Sequence, residues 1–179
     1  LVLSAPPIIR ERQDHPVRVH TSLVEAEPRA LGSVVAQPGR LLAVVHDLDR
    51  DPTTTLADVE AAWARVHARW GGIDLVLVVA GTHEEIRAWE LTDAKARALL
   101  ETNLHGVIGT VAAIVPALLA QGHGTIGIVS SVAGYGGLPK ALVYGASKAA
   151  LINFAETLYL DLAPRGLGVA LINPGFVRT

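Results

Sequence analysis

The chain contains no cysteine and no methionine among its 179 residues. Without a thiol it can form no disulfide, no zinc–cysteine site and no cysteine nucleophile. Aromatic residues make up only 4% of it, and its 15 lysines and arginines are scattered, with no basic run. A nucleic-acid surface needs clustered cations and rings that stack on bases, so no nucleic-acid partner is expected. Charge is missing altogether between Glu101 and Lys140, which raises the question of a membrane span. The longest apolar part of that stretch, Val107 to Ala120, is 14 residues and contains Pro116. Crossing a bilayer takes about 20 apolar residues. A buried helix is expected there, and no membrane span. The start shows no secretory-signal pattern, because "LVLSA" meets two prolines and then charges. With no methionine even at position 1, and with an abrupt stop after "NPGFVRT", the chain is expected to be a piece of a longer protein.

What is present is a globular composition. Half the residues are hydrophobic and the net charge is −2, enough for one domain over 1–179 with its own core. Strand-like runs stand at 1–5 ("LVLSA"), 17–21 ("VRVHT"), 40–47 ("RLLAVVHD"), 73–81 ("IDLVLVVAG"), 124–131 ("GTIGIVSS") and 167–175 ("LGVALINPG"). Several are apolar on both faces, as parallel strands covered by helices must be. Helical patterns lie between them at about 24–35, 55–70, 92–120 and 142–164. This alternation predicts an α/β fold, a doubly wound parallel sheet of Rossmann-like type in a single domain. The last two helices have apolar faces wider than one sheet can cover. A homodimer or homotetramer through the 92–120 and 142–164 helices is therefore expected.

Several apparent motifs fail on context. Gly122, Gly124 and Gly127 in "GHGTIG" fit the dinucleotide spacing, yet they follow a helix and lead into a strand. A phosphate loop must do the reverse, so that amides at a helix start meet the pyrophosphate. No serine-hydrolase elbow surrounds Ser130, Ser131 or Ser147. The seven histidines show no paired ligand spacing, and His46 beside Asp47 and Asp49 reads as a strand end, so no metal site is expected. Glu84 and Glu85 read as a solvated helix start.

A longer constellation carries more information. In "YGASK" Tyr144 and Lys148 are four apart, which puts both on one face of a helix with only small residues between them. Ser131 stands 13 residues earlier at the end of a strand, Asn103 lies inside the long preceding helix, and "NPG" follows the next strand. These positions converge on the crevice where an open α/β sheet binds its ligand.

From about Arg40 to Thr179 the sequence resembles the short-chain dehydrogenase/reductase family. The resemblance implies an oxidoreductase that moves a hydride between NAD(P)(H) and a small-molecule alcohol or carbonyl substrate, with a cytoplasmic location. It implies that Tyr144 is the general acid/base, that Lys148 binds the nicotinamide ribose and lowers the tyrosine pKa, and that Ser131 hydrogen-bonds the substrate oxygen. Asn103 would position a helix kink and a relay water. Asp47 would meet the adenine, Ala80 and Gly81 would form the turn beside the cofactor, and Pro174, Gly175 and Thr179 would hold the nicotinamide end. A free phenol has a pKa of about 10, so a nearby cation is what such a base requires.

Two departures stand out. The family's two asparagines before the Ala–Gly turn are Val78 and Val79 here. The family's glycine-rich phosphate loop is missing: after "LVLSA" only the eleven residues "PPIIRERQDHP" precede "VRVHT". A non-catalytic binding or scaffold protein of the same fold is therefore the alternative, and a serine hydrolase a distant third. The stretch "HTS" at 20–22 lacks the acidic residue that favours NAD, which leans the cofactor expectation from NAD toward NADP.

Overall fold

The computed structural model describes residues 34–37, 41–44 and 56–175. Strands β1 (Val34–Gln37) and β2 (Leu41–Val44) form an antiparallel pair, in register from Val34 opposite Val44 to Gln37 opposite Leu41. This corrects two expectations. The helix over 24–35 cannot reach its end, because Val34 and Val35 are strand. Within the run 40–47, the described residues Leu41–Val44 are strand, and they pair antiparallel with their sequence neighbour instead of with a parallel partner. The physical cause is local. Two adjacent valines favour an extended backbone, and the following Pro38 biases the residue before it away from helix. The strands expected at 1–5 and 17–21 lie outside the described residues.

Helix α1 spans Leu56–Trp70. It turns Val59 and Val66 into the core, with Trp63 packed against them, the i, i+4, i+7 spacing of one helical face. Gly71 closes it at φ 77°, its amide donating to the His67 carbonyl at 2.8 Å. Strands β3 (Leu75–Val78), β4 (Thr125–Val129) and β5 (Gly168–Ile172) then build a parallel sheet in the order β3-β4-β5. Registers Val76–Ile126 and Ile126–Val169 line up one face of that sheet. Val76, Val78, Ile126, Ile128 and Val169 all enter one apolar cluster on it, as the two-residue period of a strand requires.

Between β3 and β4 the chain forms one continuous helical stretch. It comprises α2 (Asp93–Leu100), a π-helical segment (Glu101–His105) and α3 (Gly106–Gln121). Thr92 caps its start by accepting from the Lys95 amide at 3.3 Å. The stretch Asp93–Gln121 is long and apolar enough to cross a membrane by length and composition. Its Val107, Val111, Ile114 and Leu118 are instead built into the cluster on the sheet, together with Leu151, Ala155 and Leu162 of α4 (Leu142–Leu162). Truncating a fully buried leucine such as Leu118 or Leu151 to alanine costs about 2–5 kcal/mol. This is the core of a Rossmann-like α/β sheet with helices laid across it, and it fixes where the carboxyl ends of β3, β4 and β5 open.

Candidate active site

Those three carboxyl ends are tied to one another and to the start of α4. At the end of β3, Ala80 is buried and Gly81 follows it. A Cβ added at Gly81 would lie 3.0 Å from the Lys148 amine, so a larger residue in this turn would press on the cation and push it aside by a few tenths of an ångström. The next residue, Thr82, is held by Asn103. The Asn103 Oδ1 accepts from the Thr82 amide at 2.7 Å, and its Nδ2 donates to the Thr82 carbonyl at 2.8 Å. Asn103 has no exposed surface and sits within the π-helical segment. A π turn is a common accommodation where a helix must present a side chain at a functional site.

At the end of β4, two serines serve different elements. The Ser130 hydroxyl donates to the Lys148 carbonyl at 2.8 Å, deep in the protein. Ser131 caps the short turn Val132–Gly134 by accepting from the Ala133 amide at 3.2 Å. Gly134 then lets that turn press against α4. A Cβ there would come within 2.8 Å of the Lys148 carbonyl carbon and 2.9 Å of the Ala149 amide. The end of β5 joins through the Ser130 amide, which donates to the Ile172 carbonyl at 2.8 Å, and the Val132 amide, which donates to the Pro174 carbonyl at 3.1 Å.

Helix α4 brings Tyr144 and Lys148 to this crevice. Lys148 is 3% exposed, and its Nζ donates to the Val129 carbonyl at 3.2 Å. The same amine lies 5.7 Å from the centroid of the Tyr144 ring. Lysines are almost never buried for packing alone, since desolvating an ammonium costs several kcal/mol. Such a group is a candidate for a functional position. The Tyr144 backbone is anchored as well. The Ser147 hydroxyl donates to the Tyr144 carbonyl at 2.7 Å and accepts from Asn103 Nδ2 at 3.4 Å.

Asn103, Ser131, Tyr144, Lys148, Ala80, Gly81, Pro174 and Gly175 thus lie on the segments that meet at this crevice. Asp47 and Thr179 fall outside the described residues. Val78 is buried in the core and Val79 is 40% exposed, so neither supplies the side-chain ties that asparagines would. Four participants were not singled out from sequence: Ser130, Ser147, Thr82 and His83. Ser147 had a signal, three residues after Tyr144 and on its helical face. His83 had none, and its ring packs on Tyr144. Glu84 and Glu85 are a further correction. They do not start a helix; they pin the loop after β3, Glu84 to Lys95 at 2.9 Å and Glu85 to Lys140 at 2.7 Å. The Lys140 hydrogen bond and charge hold the Glu85 carboxyl below its ordinary pKa, and Glu85 in turn raises that of Lys140.

The sequence profile of the short chain dehydrogenase family matches residues 18–179. The chain belongs to the short-chain dehydrogenase family. An uncharacterised oxidoreductase of Myxococcus xanthus is 36% identical over 135 residues, covering 75% of this chain and 53% of that protein. The 3-oxoacyl-(acyl-carrier-protein) reductase of Escherichia coli is 31% identical over 126 residues, covering 70% of this chain and 52% of the reductase. The chain therefore spans about half the length of these curated relatives. Among solved structures, an NAD+-bound xylitol dehydrogenase superposes with a TM-score of 0.66 at 28% identity, over 70% of this chain and 48% of that one.

Proposed function

We propose that this chain carries the reaction half of an NAD(P)-dependent oxidoreductase that interconverts an alcohol and a carbonyl compound. Its reading as a single NAD(P)-binding domain over 1–179 in a cytoplasmic, homo-oligomeric enzyme is part of the same proposal, with the outer faces of α3 and α4 as the contact between copies. The observation that carries the reading is the buried Lys148 amine beside the Tyr144 ring.

The residues present suit a nicotinamide cofactor. Gly81 leaves open backbone beside the Lys148 amine. The Asn173 Oδ1, directly before Pro174 and Gly175, is a buried acceptor with no hydrogen-bond partner, which a carboxamide donor would satisfy. Lys148 would hold ribose hydroxyls, Ala80, Gly81, Pro174 and Gly175 would form the walls, and Asp47 and Thr179 keep the roles implied by their family positions. When bound, the nicotinamide supplies the hydride chemistry.

Everything else falls to the chain's own groups. In alcohol oxidation the Tyr144 oxygen takes the hydroxyl proton, and in carbonyl reduction it returns one to the nascent alkoxide. Lys148 places positive charge beside the ring on which negative charge develops. Ser131 orients the substrate oxygen, and Asn103 fixes the Thr82 turn and the backbone of Tyr144. The test is steady-state kinetics of Tyr144→Phe on a panel of secondary alcohols and ketones. A rate within about threefold of the unaltered protein, far short of the usual acid/base loss, rejects the assignment.

A second reading, a binding protein of the same fold without catalysis, rests on one observation: these 179 residues hold no glycine before Gly32, and so no glycine-rich loop of their own there to cradle a pyrophosphate. Titration of the chain with NADH and NADPH, followed by nicotinamide fluorescence, addresses this directly. Weak or absent binding is expected of these 179 residues alone; tight binding would show that another segment holds the pyrophosphate.

A further inference from the structure

We propose that His83 is a positioning residue of the reaction centre, its imidazole holding the Tyr144 ring in the orientation from which the phenol exchanges its proton. This rests on the reading of Tyr144 as the acid/base. The ring centroids are 4.7 Å apart and the ring planes stand at 82° to each other, the perpendicular arrangement that aromatic quadrupoles favour.

Tyr144 has need of such a contact. Its ring packs on the small apolar cluster of Ile86, Leu99 and Val143, and apolar packing of that kind is non-directional. The residues that follow it, Gly145, Ala146 and Ser147, carry too little side chain to wedge a phenol. A perpendicular ring pair does have a preferred angle, and His83 provides it.

His83 itself is exposed, yet the segment carrying it is tied on both sides. Before it, Thr82 is held through its amide and carbonyl by Asn103. After it, Glu84 pairs with Lys95 and Glu85 with Lys140. Ile86, which is fully buried, donates its amide to the Lys140 carbonyl at 2.9 Å and bridges to Ala141. Ala141 is the cap residue of α4, so the histidine loop is fastened to the helix that bears Tyr144. Lys140 accepts a φ of 66° to complete this connection. A non-glycine residue in the left-handed region is costly, and such residues cluster where the surroundings hold a site in place. Both rings therefore hang from one frame, and side-chain geometry in a site of this kind matters at the scale of about an ångström.

The experiment compares His83→Ala and His83→Phe in the protein that bears this chain, with Tyr144→Phe as reference. His83→Ala removes the ring, and kcat should fall about tenfold while KM moves by less than about twofold, as expected for misplacement of a reacting group. His83→Phe restores a ring at the same place, and kcat should return to within about threefold of the unaltered protein. An alanine variant with unaltered kcat overturns the proposal. So does a phenylalanine variant as slow as alanine, which would assign the effect to the imidazole nitrogens. A readout independent of turnover is the proton NMR signal of the His83 ring, which should shift in Tyr144→Leu as the neighbouring ring current is lost; an unmoved signal overturns the contact itself. If Tyr144→Phe remains fully active, the acid/base reading falls and the proposal with it, even where the ring-current shift is seen.

Discussion

The two ends of strand β3 are held by the same device. At its beginning, the Gln121 side chain accepts from the Ile73 amide at 2.9 Å and donates to the Ile73 carbonyl at 2.8 Å. Just beyond its other end, Asn103 does the same for Thr82, at 2.7 and 2.8 Å. Each carboxamide satisfies one amide and one carbonyl of an irregular segment that the sheet cannot pair. The surroundings differ. Around Gln121 the chain turns through Gly122 and Gly166, both at left-handed φ, and glycine adopts that conformation without penalty. On the segments at the carboxyl ends of the strands stand a buried lysine, an unpartnered Asn173 oxygen and the left-handed Lys140. One end of the sheet is built for economy of strain, and the other retains features that destabilise it. Among the described residues, non-glycine strain and buried charge stand at the carboxyl end of the sheet, the end at which the candidate site lies.

The comparison can be broken most severely at Tyr144. Tyr144→Phe should lower kcat by about 10²–10⁴-fold, roughly 3–5 kcal/mol in the barrier, while leaving the denaturation midpoint nearly unchanged. A removal of any residue near Gln121 with the same kinetic signature would erase the distinction between the two ends.

Of the two clamps, Asn103→Leu should be the more damaging change to stability. It strips the Thr82 amide and carbonyl of their partner and puts an apolar side chain in the fully buried Asn103 position, where water cannot replace the carboxamide, a loss of about 2–4 kcal/mol by urea denaturation. Gln121→Ala also strips the Ile73 amide and carbonyl of their partner, but Gln121 is itself only partly buried, so water can take its place, and the change should cost about 1–2 kcal/mol. The kinetic readout separates them further, since Gln121→Ala should keep its activity per folded molecule and Asn103→Leu should not. Equal losses of stability would mean that burial does not distinguish the two clamps.

Gly134→Ala sharpens the comparison differently. Its Cβ would meet backbone atoms of Lys148 and Ala149 within 2.9 Å, so the turn must move away from α4. Overpacking of this kind costs about 1–3 kcal/mol, and thermal unfolding should report it along with a lower kcat.

The smallest effect belongs to the Glu85–Lys140 pair. The Glu85 pKa is lowered in the folded protein, so its contribution is present above the unfolded carboxylate value and is lost as pH falls through the depressed one. The Lys140 pKa is raised, so its contribution is present below the unfolded amine value and is lost as pH rises through the raised one. Both groups are exposed to solvent, and salt screens such pairs. Lys140→Gln should flatten the acid-side loss of stability only slightly, and concentrated salt should reproduce the change. A large shift would show that the loop depends on this pair more than on the Ile86–Ala141 bridge.

Much of this was legible in the residues. The helices over 55–70 and 142–164 and the three parallel strands follow from apolar periodicity, because burying one face requires a period of 3.6 or of 2. The π segment is different: "LLETNLHG" has a helical pattern on either side of Asn103, and only the tie to Thr82 shows why the ladder widens there. The hairpin of β1 and β2 was missed because a short apolar run shows that a strand exists without naming its partner. Glu84 and Glu85 were misplaced for a related reason, since acidic residues suit a helix start and an ion-paired loop equally well.

By itself the sequence determined what depends on one element at a time: the burial stripe of each helix and strand, and the shared face of Tyr144 and Lys148, which the helical repeat sets whatever surrounds it. The tertiary structure alone decided what depends on two. Gln121 meets Ile73, Asn103 meets Thr82, and His83 meets Tyr144 because the closing of β3, β4 and β5 brings distant segments within hydrogen-bond or ring-contact distance. Periodicity records how a residue faces its own element; no local pattern records which residue will stand across from it once the sheet has formed.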